Sequence, residues 1–409
     1  MKIGDINSFL YLGYFLDFQN SKNIIETGDF SSKQNELSKL DENDLLSLAK
    51  TAWFRTFEEL FSNKSLNVVP ISGGIDSRAV LATLQEFTES SNIYTYTFGT
   101  ENTLDFEIGN LVAKKLQTKH RTFSFSNYKF STQKEIEISK RTHHQTFLFH
   151  HPPLEELDKL YYGANIWSGY MLDWIAGSHL PAKGAETPTA AREKVLKKER
   201  FVKSANLTCA TESQIAALYD LPDRNPGISY EELIEVYNRY PKYIAPNILY
   251  EGYQFILPGN SRNLFNFYFN LPNRYRRNQT LYKKFVFTEF PKIFALPLKQ
   301  FHGLPSDHSM LRLNYARLKN KIRNKMNLLN RTSINPQINY MDFNTGIRQR
   351  EDLRTTIHDN LMDLAKRDIV PWIDLPQIYN DHINQKGNYA DALITLASLE
   401  IHIKAGKQL

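Results

Sequence analysis

Apolar residues along this chain alternate between two periods. A short run, Val68 to Ile71, is broken by Ser72-Gly73-Gly74, and Asp76-Ser77-Arg78 then opens a helical pattern over Ala79, Val80, Leu81 and Leu84. Strand, glycine loop and helix are predicted in that order. A helical pattern from Asp44 to Phe61 precedes the strand. Ile93 to Phe98 predicts a second strand ending at Gly99, and Arg121 to Phe125 a third. Between them a helix from Asp105 to Leu116 places Ile108, Leu111, Val112 and Leu116 on one face. Asn165 to Trp167 predicts a fourth strand. Strands alternating with helices imply parallel βαβ units, whose ligands lie outside the carboxyl ends of the strands.

The flanks read differently. Residues before about 40 are mixed polar and aromatic, with strand-like pieces such as Phe9 to Leu16. Residues 178–227 turn polar, with Pro181, Gly184, Pro188 and Pro222, and predict a mobile or lid-like surface excursion. Helical, aromatic-rich patterns follow from 228, and 350–405 predicts two or three further helices. The organisation expected is a short segment 1–43, a main domain 44–305 containing the excursion, and a helical region 306–409.

Composition narrows the class. The chain has 409 residues, 41% of them hydrophobic and 13% aromatic, which suits a globular protein with ample core. No apolar run approaches ~18 residues, so no membrane span is expected, and Met1-Lys2-Ile3 opens no secretory pattern. A single cysteine, Cys209, excludes internal disulfides, paired-cysteine zinc sites and Cys-held iron–sulfur clusters. A cytoplasmic setting is the expectation. The net charge of +6 is partly concentrated between Arg312 and Arg331. That stretch predicts a solvated helix with a Leu/Tyr/Ile/Met face rather than a nucleic-acid patch.

The loop at 72–77 carries the chemistry. Glycines let the backbone approach an anion closely, and the amides of the loop and first helical turn point at it, aided by the helix dipole. Asp76 alone would repel phosphate, so its presence implies Mg2+ between carboxylate and phosphate. A Walker loop needs a Lys before the Ser or Thr that follows its second glycine, and no Lys stands between Asn67 and Glu89. Ser72-Gly-Gly-Ile-Asp-Ser77 instead resembles the pyrophosphate loop of the N-type ATP pyrophosphatases.

From about 45 to 305 the chain resembles the synthetase domain of the asparagine synthetase family. That resemblance rests on the loop, on Thr97-Phe-Gly99 leading into Asp105-Phe-Glu107, on Ser168-Gly169 with Asp173, and on Leu296-Pro-Leu-Lys299-Gln-Phe. It implies an α/β fold with a parallel five-stranded sheet of the adenine nucleotide α hydrolase-like type, flanked by helices, with helical C-terminal additions. It also implies an ATP-dependent ligase that adenylates a carboxylate and passes it to an amine. Ser72, Gly73, Gly74, Asp76 and Ser77 would then hold ATP phosphates, and Phe98, Gly99, Ser168 and Gly169 would pack on the nucleotide. Asp76 and Asp173 would share Mg2+, and Lys299 would stabilise charge on the adenylate, with Lys283 and Lys284 as rivals. Pro297 stands where the family has Arg.

Tyr170 stands where asparagine synthetases carry Glu and where the β-lactam synthetase and carbapenam synthetase branch carries Tyr. A phenol oriented by Glu232 or Glu235, on a helix expected from Tyr230 to Arg239, would take a proton from an amine. The family's glutaminase cysteine directly after Met1 is replaced by Lys2, so the amine is expected to be ammonia, a substrate amine, or ammonia from a separate donor. The expected partners are a small or peptide-like carboxylate and that amine. A tRNA-modifying enzyme of the same loop class and a non-catalytic ATP-binding relative are the alternatives. His143 and His150, seven apart, would share a helical face, where hydrogen bonding is expected rather than a dedicated metal site.

Overall fold

Val68 and Val69 are fully buried, as expected of a strand covered on both faces by helices. In the computed structural model, which describes residues 3–18, 34–223, 228–330 and 335–408, they belong to β1 (Asn67–Pro70). The other strands are β2 (Ile93–Gly99), β3 (Lys119–Ser124), β4 (Asn165–Trp167) and β5 (Gln254–Ile256). They form one sheet in the order β3-β2-β1-β4-β5. Every pairing is parallel; Asn67 aligns with Ile93 on one side and with Asn165 on the other. The α/β expectation holds, and β5 is an element the hydrophobic pattern did not reveal. Strand order reverses between β1 and β4, and the crevice at such a reversal is where open parallel sheets bind ligands.

Helices Glu42–Leu60, Asp76–Leu84 and Leu104–Leu116 cover the sheet. Their start and stop signals match the chemistry: Asp41 caps the first by accepting from the Asp44 amide at 2.9 Å. The main core joins Trp53, Phe57, Val69, Ile71, Leu81 and Val112 to Trp167, Leu264 and Phe285. The expected C-terminal helices form as Glu351–Arg367, Leu375–Ile383 and Ala390–Lys404.

Three expectations are corrected. Phe9 to Leu16 is not strand-like: Ile3–Leu12 is a helix, and its Ile6, Phe9 and Leu10 pack with Leu353, Ile357, Leu393 and Leu396 in a second core. A continuous apolar run fits a fully buried helix as well as a strand, and here the C-terminal helices cover one side of it and the excursion the other. The excursion, over its described residues 178–223, is packed rather than a loose lid. Helix Pro188–Glu199, capped by Thr187, and helix Glu212–Ala216 bury Ala191, Val195, Leu196 and Ile215 against Tyr11, Leu12 and Tyr14. Finally, His143 and His150 share no helical face. Helix Thr132–Arg141 stops before them, and His143 adopts a left-handed conformation at φ 57°.

The basic stretch is helical, Met310–Asn330. Its Leu311, Tyr315, Leu318 and Ile322 are exposed. Residues 19–33 of the N-terminal segment, 224–227 of the excursion and Arg331 lie outside the described residues. Among the described residues no helix is long and apolar enough to cross a membrane.

Leu196 is wholly buried and Leu311 is 82% exposed. Leu196→Ala is expected to cost ~2–4 kcal/mol, and Leu311→Ala less than ~0.5 kcal/mol. Urea unfolding measures both, and equal values would contradict the packing of the excursion.

Candidate functional site

The turn from β1 delivers the predicted loop to the crevice. Ser72 Oγ accepts from the Gly74 amide at 3.2 Å and lies 3.4 Å from Ser77 Oγ. The Gly73 amide donates to Asp105 Oδ1 at 3.2 Å. The helix Asp76–Leu84 has no side-chain cap at its start, so its first amides stay available to an anion. Across the crevice β4 ends in Ser168-Gly169. A Cβ on Gly169 would fall 2.7 Å from the Asp76 Cβ. Only glycine lets the β4 end close against the Asp76 turn.

Asp76 and Asp173 consequently face each other. Tyr282 Oη donates to Asp76 Oδ1 at 2.8 Å, and Tyr240 Oη donates to Asp173 Oδ1 at 3.0 Å. Burial, and then the charge of Asp173, push the Asp76 carboxyl up to about 7. The Tyr282 hydrogen bond and the Lys283 charge pull the other way without cancelling them. Among the described residues no group of three or more His, Cys, Asp or Glu surrounds a metal position. Mg2+ needs no such cage: one or two carboxylates plus phosphate oxygens suffice, and the Asp76 carboxyl stays raised although the Lys283 ammonium pulls it down. The donor set fits that ion.

A cavity of about 340 Å3 opens here, lined by Ser72, Gly74, Asp76, Ser77, Ser168, Gly169, Tyr170 and Asp173, with His179, Arg239 and Tyr240 on its far wall. Seven of the predicted phosphate-loop and β4 residues thus share one cavity with Tyr170. Gly73 sits behind the loop, where a Cβ would lie 2.9 Å from Lys299 Cβ.

Other expected residues lie apart from it. Phe98 stacks on Tyr340 at 5.4 Å, and the Tyr340 backbone lies over Gly99; neither Phe98 nor Gly99 lines the cavity. Lys299 is tied to the loop by its amide, which donates to the Gly73 carbonyl at 3.0 Å, and its ammonium is paired with Asp105 and Asn339. Where the family has an Arg, the Pro297 carbonyl accepts from the fully buried Arg78, which also reaches the Leu296 carbonyl at 3.4 Å. Of the rival lysines, Lys283 donates to the Asn278 carbonyl at 2.8 Å and Lys284 pairs with Glu42.

The structure does not bring Tyr170 together with either glutamate. Its phenol, pushed up by burial, donates to the Tyr240 carbonyl at 3.4 Å. Glu232 pairs with Arg276 at 2.8 Å, while Glu235 pairs with His179 at 2.7 Å and Lys198 at 2.9 Å. Burial raises the Glu235 carboxyl, but His179 and Lys198 outweigh it and hold the group below its ordinary range. The expected helix from Tyr230 to Arg239 is an α-helix only over Tyr230–Ile234; it continues as a π-helix, Glu235–Ile244, containing Pro241. Proline has no N–H to close an ordinary turn, and π turns gather at functional sites. This one presents Arg239 and Tyr240 to the crevice, with Glu235 buried behind them.

Sequence reasoning missed His179. Its Nδ1 faces Glu235, and its Nε2 lies 3.9 Å from Asp173 Oδ2. No local signal marks it, because its partner is 56 positions away.

Residues 68–139, from β1 through the helix after β3, match the family model described as Asparagine synthase. No curated protein matches the chain. The match covers the loop and β2 but neither Ser168, Asp173 nor Lys299. It supports kinship with the synthetase domain of the asparagine synthetase family and carries no finer branch.

An unfolded Asp titrates near ~3.9 and folded Asp76 near about 7, so the folded state holds the extra proton between those values. Stability therefore falls as pH rises through that window, and the cost is complete above it. Water in the cavity trims that cost. Asp76→Asn is expected to stabilise the metal-free protein by ~1–3 kcal/mol at about pH 8 and by much less at about pH 5. Thermal unfolding in chelator checks this; a pH-independent change would remove the carboxylate repulsion.

Proposed function

We propose that this protein is an ATP-dependent carbon–nitrogen ligase that adenylates a carboxylic acid, releases pyrophosphate, and joins the acyl group to an amine. The observation that carries this reading is the facing pair Asp76 and Asp173 beside an uncapped helix start, within one cavity at the β1–β4 reversal. The family match over 68–139 supports it, since that family uses ATP for amidation.

The loop amides with Ser72 and Ser77 would hold the phosphate tail, with Gly169 packed against the nucleotide side. Bound between the two aspartates, Mg2+ would supply charge neutralisation on the polyphosphate. The substrate carboxylate oxygen attacks the α-phosphorus, and the bond to the departing pyrophosphate breaks. A neutral amine nitrogen then attacks the acyl carbon, the bond to AMP breaks, and the ammonium proton must leave. His179 is the group placed to take it: Glu235 orients Nδ1, and Nε2 faces the crevice beside Asp173. Such a carboxylate–imidazole pair is a general base with a fixed tautomer. Tyr170 serves as cavity wall. Lys299 beside the loop would steady the leaving phosphate once ligand charge competes with Asp105.

Pyrophosphate release from ATP by the purified protein, with a pool of carboxylic acids, tests the reading; absence of Mg·ATP binding would sink it. His179→Ala is expected to slow the amide-forming step ~10²–10⁴-fold while leaving ATP binding intact. Glu235→Gln should shift the pH profile of that step. A slow variant with an unchanged profile would assign His179 a structural role only.

A further inference from the structure

Half of the ten large hydrophobic side chains exposed among the described residues stand on one helix, Met310–Asn330. Leu311 is 82% exposed, Tyr315 69%, Leu318 55% and Ile322 51%. Scattered singly, such residues are ordinary, but a contiguous apolar row marks a contact site. Spacings of four, three and four put these side chains within an arc of about 60° at 3.6 residues per turn.

The opposite face of the helix rests on the protein: Leu313 is buried, and Ala316 and Asn320 are half-buried. Asn320 Nδ2 donates to His302 Nδ1 at 3.0 Å, and the His302 amide donates to the Lys299 carbonyl at 2.9 Å. The apolar row therefore points away from the protein, on a helix fastened to the turn that carries Lys299.

Charge frames the row. Exposed Arg312 and Lys319 border it on one side, exposed Lys321 and Arg317 on the other. No Asp or Glu stands between Met310 and Asn330, so none of these cations has a partner within the helix. In heptad terms Leu311 and Leu318 take d, Tyr315 and Ile322 take a, Arg312 and Lys319 take e, and Lys321 takes g. A strict a/d row is the narrow seam of a helix–helix contact, and the e and g charges choose the partner.

We propose that this face docks an amphipathic helix of a partner protein whose own apolar row is bordered by Asp and Glu. A second copy of this chain would set cations against cations along the seam. A nucleic-acid backbone would satisfy the cations and leave the apolar row against phosphate and sugar. A helix sunk in a lipid surface needs a broad apolar face, whereas here cations close in about a quarter turn from the centre of the row. The inference is independent of the ligase chemistry, and it places the partner beside the Lys299 turn.

The test uses the whole chain and two fluorescent helical peptides of about 28 residues. Both carry Ile at a and Leu at d; one has Glu and the other Lys at every e and g. By fluorescence anisotropy the Glu peptide is expected to bind about tenfold more tightly than the Lys peptide, an advantage that shrinks as salt is raised. The Leu311→Ala, Leu318→Ala protein should lose that binding about tenfold with its unfolding temperature unchanged, and Arg312→Glu, Lys319→Glu should turn the preference towards the Lys peptide. Binding of neither peptide, equal binding of both, or binding that survives the Leu substitutions overturns the inference. Retention by phosphatidylglycerol vesicles in place of the Glu peptide gives the face to a lipid surface. A dimer seen by sedimentation and dissolved by the Leu substitutions gives it to a second copy. Either result overturns the inference as well.

Discussion

Two carboxylates at neighbouring strand ends, Asp76 and Asp173, set the character of the crevice. Asp76 begins a helix at the end of β1, and Asp173 lies just past the end of β4. Between free side chains in water such repulsion is a small term, but at a partly walled crevice it grows as the effective dielectric falls. The fold tolerates it through specific contacts: a tyrosine hydroxyl on one oxygen of each carboxylate, and a glycine where the two strand ends meet. Stability has been given up at a point where a bound cation would restore it, which is the usual bargain at a functional site.

The same constraint accounts for the distribution of the surrounding elements. Tyr282 comes from helix Thr280–Glu289 and Tyr240 from the π-helix, so two elements distant in sequence must be docked before the carboxylates can be held. Arg78, buried beneath the loop, fastens the Leu296–Pro297 backbone and so sets where Lys299 emerges. Met171 takes a left-handed conformation at φ 64°, an uncommon choice for a non-glycine residue, and the helix bearing Asp173 starts from it. The π-helix completes the arrangement: Arg239 and Tyr240 line the crevice, and the buried Glu235 pairs with His179.

Legibility in the sequence followed the range of the interactions. β1, β2 and β4 were readable because parallel strands buried on both faces are apolar runs ended by glycine or serine. The Gly-Gly loop declared its chemistry locally, and Ser168, Gly169 and Asp173 followed by order. β5 escaped because Gln254-Phe-Ile256 is three residues long and only half-buried. Phe9 to Leu16 misled because an uninterrupted apolar run has no period, and the deciding partner, the C-terminal helix pair, lies more than 300 residues on. Likewise the excursion shows few apolar positions, and its packing surface, Tyr11 to Tyr14, belongs to a segment read as strand. His179 and Glu235 become a pair only through the π-helix, which no local propensity announces.

On the proposed ligase reading, position favours His179 over Tyr170 as the proton acceptor. Tyr170 is buried, its phenol is raised further from the neutral range, and its hydroxyl is donated to a backbone carbonyl. A base in that state would need to lose a proton it is already using. His179 has its Nδ1 fixed by the Glu235 carboxylate, which Lys198 also pairs at 2.9 Å, leaving Nε2 towards Asp173 and the crevice. On the proposed reading Asp173 thus adjoins both the metal-holding pair and His179, and its tyrosine partner Tyr240 belongs to the same π-helix as Glu235.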